Sequence, residues 1–170
     1  MSRPQLPRTD DVRTRRFRSC LGRFATGVTV VTFDGPGGRR GFTANSFTSV
    51  SMDPPLVLVA VARGARAHDE LPGRPFAINV LGAEQQALAL HFAGRPQVEP
   101  EWIDDGTAPR LAGVLAHLEC RPWRTYDGGD HSLHVGEVVD FDYRAGDLLG
   151  FANSRFVAVQ EPVLGMEHLL

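Results

Sequence analysis

Two long β-rich runs, from Leu111 to Tyr126 and from His131 to Tyr143, are separated by only four residues, Asp127, Gly128, Gly129 and Asp130. A connection that short, built of turn-forming residues, makes the two runs an antiparallel hairpin. Upstream, Val28–Phe33 is β-branched and is followed by the turn Asp34–Gly38 and a strand from Arg39 toward Phe47, which reads as a second hairpin. Leu56–Ala62, LVLVAVA, is continuously apolar, as expected of a strand buried on both faces. Phe76–Val80 adds another strand, and Leu148–Val159 one or two short ones. Helical signals are fewer. Val12, Phe17, Leu21 and Phe24 recur near helical spacing, with Asp10 or Asp11 as the expected cap and Gly27 past the end. His68–Leu71 predicts a short helix stopped by Pro72, and Glu84–Phe92 another. Gly94–Pro109, with three prolines and no periodicity, reads as a long surface loop or lid. These helices do not alternate regularly enough with strands for a doubly wound sheet, and no GxGxxG comes after a strand. The expected fold class is mainly β (α+β), a β-barrel decorated with a few short helices.

At 170 residues the chain has the size of one domain, read as a polar, proline-bearing tail over 1–10 and a domain over 11–170. Its 42% hydrophobic and 22% charged residues fit a soluble globular protein. A net charge of −2 argues against a nucleic-acid partner. The longest clean apolar run, Leu56–Ala62, is too short to cross a bilayer and the N-terminus has no apolar leader segment, so no membrane association and a cytoplasmic location are expected. All 18 basic residues are arginine, which leaves no lysine for Schiff-base chemistry. Cys20 and Cys120 form no CxxC pair and share no metal-ligand spacing with the six histidines. They are expected to be buried reduced thiols, and no metal site is expected.

The chemistry concentrates in Gly41–Pro55, GFTANSFTSVSMDPP. Thr43, Ser46, Thr48, Ser49 and Ser51 bring hydroxyls and Asn45 an amide, while Gly41 and Ala44 let backbone approach closely. Such a surface suits a ligand with mixed ring edges and phosphates; the plainer alternative is that these side chains cap the turn before Asp53-Pro54-Pro55. Three further motifs occur in order: FAINVL (Phe76–Leu81), HFAG (His91–Gly94) and GGDHSLHVGEV (Gly128–Val138). Together the four resemble the short-chain flavin reductases, NAD(P)H:flavin oxidoreductases that often serve two-component monooxygenases. The resemblance runs from Phe17 to Phe156.

It implies an FMN-binding type split β-barrel, homodimeric, with flavin in a groove close to the subunit interface. NADH or NADPH would reduce FMN or FAD, and reduced flavin would pass by diffusion to a flavin-dependent monooxygenase. By position, Asn45, Ser46, Phe47, Thr48 and Ser49 match the family stretch along the isoalloxazine and ribityl chain, with Thr43 beside it, and Ser51 matches a position near the phosphate. In RGARAH, Arg63, Arg66 and His68 fall where the family places phosphate contacts; relatives commonly carry Ser or Thr in place of Ala65 and Ala67, which shifts the task to arginine and backbone. His131 matches the nicotinamide-side histidine and is the expected catalytic residue. Asn79 is expected to orient backbone beside the site, Phe92 and Gly94 to lie near the cofactor, and Arg155 to meet the dinucleotide. Hydride transfer needs two rings aligned and donors where charge accumulates, not a strong base, which agrees with motifs of amides and hydroxyls. Two alternatives stay open: a flavoprotein that retains FMN tightly for electron transfer, and a non-catalytic flavin- or haem-binding split barrel.

Overall fold

The structure, a computed structural model, describes residues 9–161. The expected N-terminal tail lies outside the described residues except for Thr9 and Asp10, which already belong to helix α1 (Thr9–Leu21). The helix therefore starts before its expected caps, and Phe24 falls past its end. Every side chain from 11 to 21 is exposed, so Cys20 is a surface thiol and not a buried one.

Beyond α1 the chain is mostly strand. In chain order the strands are β1 (Thr26–Gly27), β2 (Thr29–Gly35), β3 (Gly38–Ala44), β4 (Thr48–Met52), β5 (Pro55–Ala62) and β6 (Phe76–Val80). After these come β7 (Trp102–Ile103), β8 (Arg110–Leu111), β9 (Ala116–Gly128), β10 (His131–Tyr143), β11 (Leu148–Ala152) and β12 (Arg155–Val159). Two short helices, α2 (Arg66–Glu70) and α3 (Gln86–Phe92), interrupt them. Seven strands make one antiparallel sheet in the order β3-β2-β6-β9-β10-β5-β4. Its two edge strands, β3 and β4, are joined by Asn45, Ser46 and Phe47 alone. At roughly 3.5 Å per residue, that link requires the sheet to curl until its edges approach. The interior shows the curl directly: Val31 and Phe33 of β2 share one buried cluster with Val57, Val59 and Val61 of β5, Phe76 and Ile78 of β6, and Cys120 of β9. Burial pushes the Cys120 thiol up to about 12, which makes it packing material and no nucleophile.

Several sequence expectations change here. β5 buries one face only, because Leu56, Leu58 and Ala60 on the other face are half-exposed. The Ser/Thr-rich segment is itself a strand, β4, which pairs with β5 through a bulge between Ser49 and Ser51 and was hidden by its polar composition. The segment Gly94–Pro109 holds β7 and is tied down at several points. Arg39 pairs with Asp104 and stands 5.4 Å over the Trp102 ring; Arg110 pairs with Asp105. Buried Glu119 faces Arg110 Nε at 3.0 Å and accepts hydrogen bonds from the Thr107 amide and hydroxyl. A second apolar cluster, Val28, Val30, Leu81, Ala89, Leu111 and Leu149, packs α3, β8 and β11 on the outer side of β2.

Candidate functional site

Two cavities adjoin where β3, α2 and the end of α3 meet. The larger, about 380 Å³, is lined by Phe33, Arg40, Gly41, Phe42, Ala65, Arg66, Ala67, Glu70, Phe92, Ala93 and Gly94. The smaller, about 210 Å³, is lined by Val28, Thr43, Asn45, Ala93, Phe151 and Phe156. Ala93 belongs to both, and Gly41 and Thr43 are two apart on β3 and so point the same way. The result is one groove with an apolar end and a cationic end.

Its walls explain several residue choices. A Cβ at Gly41 would come within 2.6 Å of the Phe92 ring, so only glycine lets that ring lie against β3. Gly94 sits at φ +85, the left-handed conformation that ends α3 and turns the chain over the groove. Thr43 donates to the Ala89 carbonyl at 2.6 Å and fixes α3 to β3. At the cationic end Arg40 is neutralised by Glu70 at 3.0 Å. Arg66 is different: among the described residues it has neither a carboxylate partner nor a side-chain hydrogen bond, and it is exposed at the start of α2, which no side chain caps. Asn45 is likewise exposed, with no side-chain hydrogen bond among the described residues. Ala65 and Ala67 pack their methyls against the barrel interior while bordering the groove.

Of the residues singled out from sequence, Thr43, Asn45, Arg66, Phe92 and Gly94 are thus brought together. Others are engaged elsewhere. Ser46 is bound on both sides by Ala60, accepting from its amide at 3.0 Å and donating to its carbonyl at 3.1 Å. Phe47 packs against the interior cluster. Thr48, Ser49 and Ser51 stand on edge strand β4 and line neither cavity. Asn79, fully buried, donates to the Val30 carbonyl and Thr32 hydroxyl and accepts from the Leu111 amide, stitching β6 to β2 and β8. Arg155 opens β12 after the turn at Asn153 and Ser154 and borders neither cavity; Phe151 and Phe156 of the same hairpin do. Those two phenylalanines, with Arg40 and Glu70, were not legible as site residues, because only the packing of distant strands places them here.

The hairpin tip forms a second focus. Arg63 donates through Nε to the Gly129 carbonyl at 2.7 Å and through a terminal nitrogen to Asp127 at 2.9 Å, and its amide bonds the Asp130 carbonyl. Its guanidinium is thereby committed to the turn. The Gly129 amide and Arg63 hold the Asp127 carboxyl below its usual range. His131, at the start of β10 and opposite Ala62 of β5, places Nδ1 2.7 Å from Asp130, whose carboxyl this contact holds low. A carboxylate only accepts, so Nδ1 carries the hydrogen and Nε2 of the neutral ring is an acceptor. His68 of α2 meets Ser132, the next residue of β10, at 2.9 Å.

His117, Glu119 and Asp140 bring potential ligand atoms within 4.8 Å of one another. Arg110 occupies that cluster as its cation, and the arrangement is an ion-pair network that anchors the segment before β8.

Residues 21–160 match the family model for the flavin reductase like domain. The chain is 45% identical over 147 residues to the FMN reductase (NADH) SmoA of Agrobacterium fabrum, covering 84% of each chain. It is 42% identical over 127 residues to the reductase component of 4-hydroxyphenylacetate 3-monooxygenase of Thermus thermophilus, covering 74% of this chain and 83% of that one. Among solved structures, the NADH:FAD oxidoreductase SgcE6 of Streptomyces globisporus superposes with a TM-score of 0.81 at 40% identity, covering 95% and 96% of the two chains. A barrel with this strand order, a groove whose Arg66 has no carboxylate partner among the described residues, and a match along nearly the whole described chain lead to one assignment: the protein belongs to the flavin reductase like domain family.

Proposed function

We propose that this chain is an NADH-dependent flavin reductase that supplies reduced flavin to a separate monooxygenase. The observation that carries the reading is the groove itself, with Arg66 free of any described carboxylate at one end and aromatic and amide residues at the other. The residues present fit a flavin. Arg66 offers bidentate donors to its phosphate, the Phe92 ring lying on Gly41 gives an apolar wall beside Gly94, and Asn45 can bond a ring edge. A flavin held there would supply the hydride acceptor for the nicotinamide. The protein orients and shields; none of its groups needs to act as a strong base. His131, its Nδ1–H fixed by Asp130, presents Nε2 as an acceptor for the nicotinamide carboxamide N–H. NADH is favoured over NADPH, and FMN and FAD are both admitted, because relatives named as reductases include both flavins with NADH. A monooxygenase partner is supported by a relative that is itself named as a reductase component.

A homodimer is part of the same reading. Helix α1 packs no described side chain inward and exposes Phe17, Leu21 and, just beyond it, Phe24 at 78%, while edge strand β4 exposes Val50 and Met52. Apolar residues in such number call for a covering surface, and a second copy supplies one. No helix of the described residues is long and apolar enough to cross a membrane; a cytoplasmic location remains part of the proposal.

The test is steady-state oxidation of NADH and NADPH with added FMN, FAD or riboflavin and no oxygenase present. The expected result is NADH oxidation that saturates with flavin; flavin binding without oxidation would move the reading to a carrier. In the same assay His131→Ala is expected to raise the NADH KM or lower turnover while leaving flavin affinity within about twofold. Equal losses in flavin and nicotinamide binding would contradict the role given to His131.

A further inference from the structure

Resting on that reading, the hydrogen-bond pattern at the hairpin tip carries one step further. Helix α2, which holds Arg66 at the groove, has five residues and no capping side chain, too little to fix its own orientation. Glu70 ties it to Arg40 of β3, Ala67 packs on the barrel interior, and β10 adds a hydrogen bond through a side chain. His68 Nε2 lies 2.9 Å from Ser132 Oγ, and His68 Nδ1 lies 2.9 Å from Asp69. The carboxylate can only accept, so Nδ1 is the donor there, Nε2 of the neutral ring accepts, and the Ser132 hydroxyl is the donor. Ser132 is 7% exposed, pairs with Val61 of β5, and directly succeeds His131. The strand residue that orients α2 is therefore the immediate neighbour of the one assigned to the nicotinamide. A second tie lies upstream, where Arg63 is bound to the same hairpin tip by three hydrogen bonds.

We propose that Ser132 is a positioning residue of the reductase site: through His68 it fixes α2, and with it Arg66, at a set distance from His131. Arg63 and His68 then serve the flavin by holding the segment that contains Arg66, without touching the phosphate themselves. The arrangement makes flavin-side and nicotinamide-side contacts parts of one framework.

The experiment compares Ser132→Ala, Ser132→Thr, His68→Gln and Leu115→Ala with wild type. Flavin Kd is read by fluorescence quenching, NADH KM and kcat by turnover, and Tm by thermal unfolding. Ser132→Ala, which removes the hydroxyl donor to His68 Nε2, is expected to raise flavin Kd about three- to tenfold and to lower kcat. Ser132→Thr keeps the hydroxyl and is expected to restore both; His68→Gln, whose amide oxygen can accept from Ser132, is expected to recover most of the affinity. Leu115→Ala controls for stability alone, since Leu115 is buried between β8 and β9, belongs to neither apolar cluster and lines neither cavity; it is expected to lower Tm without moving flavin Kd. A Ser132→Ala variant with flavin Kd within twofold of wild type, or a Leu115→Ala variant that loses affinity equally, overturns the positioning role while leaving the reductase reading intact. A wild-type protein that binds no flavin overturns that reading, and this inference with it.

Discussion

Replacing Arg66 with alanine is expected to weaken flavin binding by roughly ten- to hundredfold, the worth of a hydrogen-bonded contact to a charged group. Elimination within the groove singles this residue out. Two arginines border the larger cavity; Arg40 already faces Glu70 at 3.0 Å, and a phosphate would have to displace that carboxylate to use it. Arg63, the other candidate from sequence, is bound to Asp127 and the Gly129 carbonyl. Arg66 alone in this groove combines a cavity position with no competing carboxylate among the described residues. Because it is exposed and makes no such pair, its loss is expected to leave Tm within a degree or two, about the scale of a neutral surface substitution. Riboflavin, which has no phosphate, provides the control: its affinity is expected to be unchanged in Arg66→Ala. Equal loss for FMN and riboflavin would remove Arg66 from the phosphate and assign it to packing.

Glu119→Ala is expected to produce the largest loss of stability, about 3 to 5 kcal/mol, the usual cost of removing one partner from a buried ion pair. Glu119 is 1% exposed, faces Arg110 at 3.0 Å, and accepts from both the amide and the hydroxyl of Thr107. Its removal leaves those donors unsatisfied and frees the segment leading into β8, which carries Trp102 against Phe92. Denaturant unfolding measures the loss. Glu119→Leu combined with Arg110→Met is expected to recover much of it, because a matched apolar pair has no charge left to desolvate. If the double variant is as unstable as Glu119→Ala, the stabilisation lies in the Thr107 hydrogen bonds and not in the ion pair.

The sequence and the fold agree most where local chemistry settles the structure. The β9–β10 hairpin was legible from Asp127–Asp130, although the turn itself is only Gly129 and Asp130, with Asp127 and Gly128 paired as the end of β9; β2–β3 with its short loop was legible as well. The β-branched and apolar runs could only be strands. Strand β4 was not legible, because a Ser/Thr-rich edge strand looks like a turn until its partner is known. The two-residue strands β7 and β8 were missed for a related reason: they exist only through each other. Asn79 shows the same limit for side chains: its expected role of orienting backbone names no partners until the Val30 carbonyl, Thr32 hydroxyl and Leu111 amide are seen to use its amide.

By itself, then, the sequence determined that strands would dominate, where two hairpins turn, and which motif residues resemble a flavin reductase. Tertiary structure alone decided which of those residues are held by partners within the described fold. A donor hydrogen or lone pair already used within the fold is not offered to a ligand, and the partner that uses it comes from strands far away in sequence. Arg63 and Asn79 are held by such partners, and Arg66 and Asn45 have no side-chain partner among the described residues.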